Sequence, residues 1–130
     1  MLGRIAVVDG INVAHEERSE KGRPKVGNIV AVNQTLKLKG YEPIIIVDAR
    51  LRHTVDNPEE LEFLIRNGTI RQAPAGTDVN SFLIRTAEEH RAVIVTNDRY
   101  GDYEEKYPWV KERRVPLMIT DGEVELYEVR

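Results

Sequence analysis

Residues 4–12 read RIAVVDGIN: an apolar run that ends in Asp9, then Gly10, then a carboxamide at Asn12. Consecutive apolar side chains without polar alternation describe a strand buried on both faces, as in a parallel sheet. A carboxylate closing such a strand loses hydration unless a neighbouring group compensates for it. The stretch therefore poses a question of topology and a question of what sits beside Asp9.

The same texture returns in PIIIVDA (43–49), AVIVTND (92–98) and VPLMIT (115–120), each expected to form a buried strand. Helical patterns lie between them. Val26, Ile29, Val30, Asn33 and Leu36 follow a helical period, and Gly40 supplies the stop. In DNPEELEFLIRNG, Asn57 suits the cap, Pro58 the first helical position, Glu59 and Glu60 the positive helix start, and Gly68 the end. A third helix carries Val79, Phe82, Leu83, Thr86, Ala87 and His90 on one stripe behind Thr77 and Asp78 as caps. The segment TIRQAP reads as a short strand before it, and EVELYEV alternates as an edge strand or a hairpin partner does. The order βαβαβαβ with right-handed crossovers predicts a three-layer α/β/α fold with a mainly parallel central sheet. Nothing in residues 1–130 marks a linker, a repeat or a low-complexity tract, so one domain is expected.

Composition narrows the classes. Of 130 residues, 41% are hydrophobic and 32% charged, which excludes a disordered chain. No apolar run reaches a membrane span, the first residues enter a strand-like run rather than a signal peptide, and a cytoplasmic location is expected. With no cysteine, disulfides, thiolate metal sites and cysteine nucleophiles are excluded. The net charge of −3 is not a global basic footprint, but the charges are segregated. RSEKGRPK (18–25) and RLRH (50–53) are basic, while Glu dominates EVELYE (123–128).

The acids fall in a pattern. Asp9 closes the first strand, Asp48 the second and Asp98 the fourth, and Asp78 follows the third and opens its helix. In a parallel sheet these positions share the carboxyl edge, where open α/β sheets bind ligands. Asp102, four residues after Asp98, comes to the same place if one helical turn or tight loop joins them. Carboxylates gathered there repel one another, and a divalent cation keeps them ionised. With oxygen donors and no paired histidines, Mg²⁺ or Mn²⁺ is preferred over Zn²⁺. Each acid also has a plainer reading: Asp9-Gly10 as a turn, Asp78 as a helix cap, Asp48 as a structural group.

The segments VVDGINVAH, AVNQTLKLKG, TDVNSFLIRTAEEHRAVIVTNDRYGDY and VPLMITDGEVEL together resemble the PIN/NYN nuclease superfamily, closest to the Regnase-type NYN ribonuclease domain. The resemblance runs over nearly the whole chain in order. It implies a PIN-like, Rossmann-like fold and a metal-dependent ribonuclease whose products carry a 5′-phosphate and a 3′-hydroxyl. Asp9 and Asn12 match the family's first-strand acid and its Asn, and Asp98 and Asp102 match the acids of NDxYxD. Regnase-type domains carry two consecutive acids where this chain has Val79-Asn80. Asp78 stands one residue earlier, in the G-x-D-V context of other NYN proteins.

On this reading Asp9, Asp98, Asp102 and Asp78 hold the ion, and Asn12 orients a ligand or contacts a phosphate. No histidine is placed as a clear general base. RNA, expected single-stranded, is gripped by Arg18, Lys21, Arg23, Lys25, Arg50 and Arg52, which weaken with salt, and Arg99 and Tyr100 touch sugar or base. A homodimer, an antitoxin or another protein partner is compatible with the sequence. Two other readings compete. A haloacid-dehalogenase-type phosphatase needs an Asp two residues after Asp9, and Ile11 stands there. An RNA-binding module with weak or no activity is the alternative that the incomplete acid pair leaves open.

Overall fold

The computed structural model describes residues 4–128. Strands β1 (Arg4–Asp9), β2 (Tyr41–Val47), β3 (Ile70–Gln72), β4 (Val93–Val95) and β5 (Arg114–Val115) form one sheet in the order β3-β2-β1-β4-β5. All four pairings in it are parallel. Helices α1 (Gly10–Ala14), α2 (Val26–Leu38), α3 (Pro58–Arg66), α4 (Val79–His90) and α5 (Val110–Arg113) connect them.

The apolar runs work as expected for a sheet covered on both sides. In β1, Ala6 and Val8 join one buried cluster with Ile29 and Leu36 of α2 and Leu61 of α3. Val7, between them, joins the other with Leu83, Ile84 and Ala87 of α4 and Val110 of α5. β2 divides likewise, Ile45 and Val47 to the first cluster and Ile46 to the second. The period-two alternation of a strand thus feeds two cores, giving three layers.

The caps follow local chemistry. Asn57 accepts the Glu60 N–H, with Pro58 at the first helical position of α3. Asp78 accepts from Asn80 at the start of α4. In the α4 stripe, His90 is exposed and Ile84 is buried in its place.

One expected strand is corrected. VPLMIT does not continue as a single parallel strand. Pro116 lacks the N–H that the ladder needs, so β5 stops at Val115. Residues Leu117–Thr120 (β6) pair antiparallel with Glu123–Leu126 (β7) instead. The connecting pair, Asp121 and Gly122, has φ of 50° and 81°, the left-handed geometry of a two-residue hairpin turn. EVELYEV is therefore the hairpin partner. Glu17 holds this turn to the loop after α1, accepting from the N–H groups of Asp121 at 2.8 Å and Gly122 at 3.3 Å.

No helix among the described residues is long and apolar enough to cross a membrane.

Candidate active site at the switch point of the sheet

β1 lies between β2 and β4, so the connections diverge at the β1–β4 boundary. This is the topological switch point, where the carboxyl ends leave a crevice. Asp9 ends β1 there, and Asp98 follows β4 by three residues. Both line one cleft of about 380 Å³ with Asn12, His15, Asp48, Arg50 and Asn80.

Gly10 is dictated by the approach of α1 to β2. A methyl at that position would stand 2.6 Å from Val47 Cγ1 and 2.8 Å from the Ile46 carbonyl oxygen. With no side chain at 10, the chain turns directly from β1 into α1, and Asp9 becomes the helix cap: its Oδ1 accepts the Asn12 N–H at 3.1 Å.

The opening question about Asp9 has a specific answer. Its carboxylate is 4% exposed, and Oδ2 accepts hydroxyl hydrogen bonds from Tyr100 at 2.6 Å and Thr96 at 3.1 Å. Burial pushes the Asp9 carboxyl above its ordinary value; the bonds from Tyr100, Asn12 and Thr96 oppose this, and the charge of Asp98 adds to it. Tyr100 cannot serve as a stacking platform for RNA. Its ring is buried, and burial followed by the Asp9 charge holds its phenol protonated far above the usual range.

Thr96 ties the two acids together. Its hydroxyl donates to Asp9 and accepts the Asp98 N–H at 3.0 Å, while Asp98 Oδ1 accepts the Tyr100 N–H at 2.8 Å. The rest of Asp98 is exposed to the cleft. Asn12 Oδ1 accepts the Asn97 N–H at 2.8 Å, and the residue lines the cleft. Asn97 in turn reads both backbone groups of Leu117, at 2.8 and 2.9 Å, and donates to Glu16 at 2.7 Å. Its amide acts as a strand edge for the chain just beyond Pro116.

Of the acids expected at this edge, Asp9, Asp48 and Asp98 line one cleft, and Asp78 and Asp102 stand outside it. Asp78 spends its carboxylate on the α4 start, accepting from Asn80, Ser81 and the hydroxyl of Tyr103. The Tyr103 bond is the main cause holding its carboxyl below the ordinary value. It faces the adjoining hollow of about 360 Å³ with Asp48, Arg50 and Val79. Asp102 does not line the acid cleft. Tyr100 sits at φ 51°, ψ 43°, which breaks the helical turn that the four-residue spacing required, and Asp102 is exposed in a 3₁₀ turn over Gly101–Tyr103. Asp48 has its plainer role: it accepts from the N–H groups of Arg50 and Leu51 and from the Arg50 guanidinium.

Among the described residues, no three Asp, Glu or His side chains are grouped so as to hold a metal ion. Asp9 and Asp98 on one cleft, the charge of Asp98 raising the cost of ionising Asp9, do fit a hard cation that keeps much of its water. Mg²⁺ is commonly held that way, by one or two carboxylates and its substrate's phosphates. The donor set fits such an ion and not an all-protein cage.

The basic residues separate into paired and unpaired. Lys25 pairs with Glu17, Arg50 with Asp48, and Arg52 with Glu62 and Gln72. Arg18 and Arg23 line a cleft of about 400 Å³ with His15, and Lys21 shares a hollow with Glu20 and Asp56. Arg99 lies on the far side of the Asp98 loop, in a hollow with Tyr107, Lys111 and Arg114.

Sequence reasoning missed Thr96 and Asn97 as organisers of the site. The available signal was two polar residues ending a buried strand, a place where polar groups require partners.

Among curated proteins none matches the chain. The fold is similar to a crystal structure of nuclear proteinaceous RNase P 2 from Arabidopsis thaliana, with a TM-score of 0.76 and 20% identity over 97% of this chain. A second structure of that plant's protein-only RNase P 2 matches at TM-score 0.73 and 22% identity over 93%. The chain spans 30% and 29% of those two proteins. The sequence itself is matched from residue 2 to residue 127 by one family description, so the sheet with Asp9 and Asp98 at its switch point belongs to a member of the Zc3h12a-like ribonuclease NYN domain family.

Proposed function

We propose that this ribonuclease-family domain hydrolyses phosphodiester bonds of single-stranded RNA with the help of Mg²⁺ or Mn²⁺, at the cleft between Asp9 and Asp98. The observation that carries the reading is the pair of carboxylates facing one crevice at the switch point, bound to each other through Thr96.

Asp98, exposed and with only Oδ1 engaged, would be the principal contact to the ion. Asp9 would act from behind it, directly or through water, its charge steadied by Tyr100, Thr96 and the Asn12 N–H. When bound, the ion supplies a water of lowered pKa and polarises the phosphoryl oxygens for in-line attack. Asp78 and Asp102 would contribute from the rim, through the Tyr103 hydroxyl that Asp78 already holds and that the Asp102 charge also reaches. Asn12 positions the Asp98 loop through the Asn97 N–H, and it also lines the cleft.

The neutral Val79-Asn80 pair beside the cleft favours the other reading, an RNA-binding module without cleavage. One assay separates them. Labelled single-stranded RNA is incubated with Mg²⁺, Mn²⁺ or chelator, using the native chain and Asp98→Asn. The expected result is metal-dependent cleavage that chelator and Asp98→Asn both abolish, with RNA binding kept. Binding without cleavage under every ion establishes the binding module instead.

A further inference from the structure

The acid cleft does not stand alone. His15 lines it and also lines the neighbouring cleft of about 400 Å³, whose other walls are Arg18, Gly22, Arg23, Pro24, His53 and Thr54. We infer that this second cleft is a phosphate subsite that holds the RNA backbone next to the scissile bond; the inference rests on the ribonuclease reading above.

Three observations support it. First, the lining carries two guanidinium groups and two imidazoles and no carboxylate, beside a cleft that carries three. Such a change of sign over one shared wall suits a polyanion whose reacting phosphate is met by acids, and any ion they hold, while its neighbour needs cations. Second, Arg18 and Arg23 have no ion-pair partner among the described residues, whereas Lys25, Arg50 and Arg52 each have one. Partnered cations give up a bond to bind phosphate; these two do not. The Arg23 backbone is meanwhile fixed, its N–H donating to Ser19 Oγ and its carbonyl accepting the Ser19 N–H.

Third, His15 is oriented. Its Nδ1 lies 2.8 Å from the Ile11 carbonyl oxygen. A carbonyl only accepts, so Nδ1 carries the hydrogen and Nε2 is the nitrogen left for a ligand. His15 thus presents Nε2 to a ligand at the wall between the two clefts. Sequence reasoning selected the arginines but neither histidine, because His15 and His53 are 38 residues apart and meet only in the fold.

The test measures binding apart from cleavage. A short fluorescein-labelled single-stranded RNA is titrated by anisotropy in chelator across a series of salt concentrations, with the native chain, Arg18→Ala/Arg23→Ala, His53→Ala and the control Lys37→Ala. Lys37 ends α2 at the opposite edge of the sheet, and thermal melts check that each variant folds. The double variant is expected to weaken binding roughly tenfold or more and to flatten the salt dependence by about 0.7 in the log–log slope per lost phosphate contact. His53→Ala should lose less, and Lys37→Ala nothing. An unchanged slope and affinity in a folded double variant overturns the subsite. So does a nucleoside monophosphate that competes as well as the RNA, since the cleft would then serve a free small anion. Absence of cleavage with these binding effects intact sinks the ribonuclease reading alone.

Discussion

The Tyr100 hydroxyl lies 2.6 Å from Asp9 Oδ2, joining residues 91 positions apart. That bond links the end of the central strand to the loop carrying Asp98, and it is closed off from water. Tyr100→Phe keeps the buried ring and removes only the donor. A hydrogen bond to a charged acceptor contributes about 1.5–3 kcal/mol, so the loss at neutral pH should fall in that range. The pH dependence has a definite sign. The folded-state carboxyl of Asp9 already titrates above its ordinary value of 3.8, so the native chain binds more protons than the unfolded one in the window above that value. Its contribution to stability is therefore full at low pH and falls as pH rises through the folded value. Removing the Tyr100 donor pushes Asp9 higher and widens the window. Urea melts in chelator at several pH values measure both effects; a variant whose loss does not shrink toward acid pH contradicts the account.

Asp98→Asn and Asp102→Asn differ in position although they share one sequence motif. Asn at 98 keeps an oxygen for the Tyr100 N–H, so stability should change by less than about 0.5 kcal/mol while metal-dependent cleavage is lost. Asp102 is exposed outside the acid cleft, and Asp102→Asn should retain substantially more activity. Parallel rates and melts for the two variants decide it, and equal loss of activity would show that Asp102 moves into the cleft on binding RNA.

Gly10→Ala places a methyl 2.6 Å from Val47 Cγ1 and 2.8 Å from a backbone oxygen. Overpacking of this kind costs about 1–3 kcal/mol, and the upper end is expected because a carbonyl cannot rotate away as a side chain can. A denaturant midpoint equal to the native one would show that α1 can lift off β2 freely.

Glu17 sets a second pH response of opposite sign. The Asp121 N–H, then Lys25, hold its carboxyl below the ordinary 4.5. Its contribution is present above 4.5 and is lost as pH falls through the folded value. Amide exchange at Asp121 and Gly122 should therefore accelerate, relative to the intrinsic rate, on acidification. In Glu17→Gln the exchange should already be fast near neutral pH.

How far the sequence could be read follows from which forces are local. The Val- and Ile-rich runs and the caps Asn57, Pro58 and Asp78 depend on neighbours a few residues away, and they are found where the pattern placed them. Pro116 was also legible: a proline inside VPLMIT is incompatible with a continuing ladder, and it divides that run. The site was less legible. Nothing near Tyr100 in sequence announces that it adopts a left-handed backbone and buries its ring against Asp9. Spacing alone therefore placed Asp102 one turn from Asp98, and the left-handed residue between them sends it elsewhere. The caps compete with catalysis for the same residue type, and at Asp78 the helix holds the carboxylate through two of its bonds, from Asn80 and Ser81.

The break at Pro116 has a consequence for solubility. A sheet with long bare margins can recruit a stranger's backbone and grow into an aggregate. Here one margin, β5, is two residues long and the chain leaves it at an imino acid for a hairpin, while the other, β3, is only three residues long. Neither margin offers a foreign strand much to dock on, so copies of this chain that meet by accident have little means of zipping together along the central sheet.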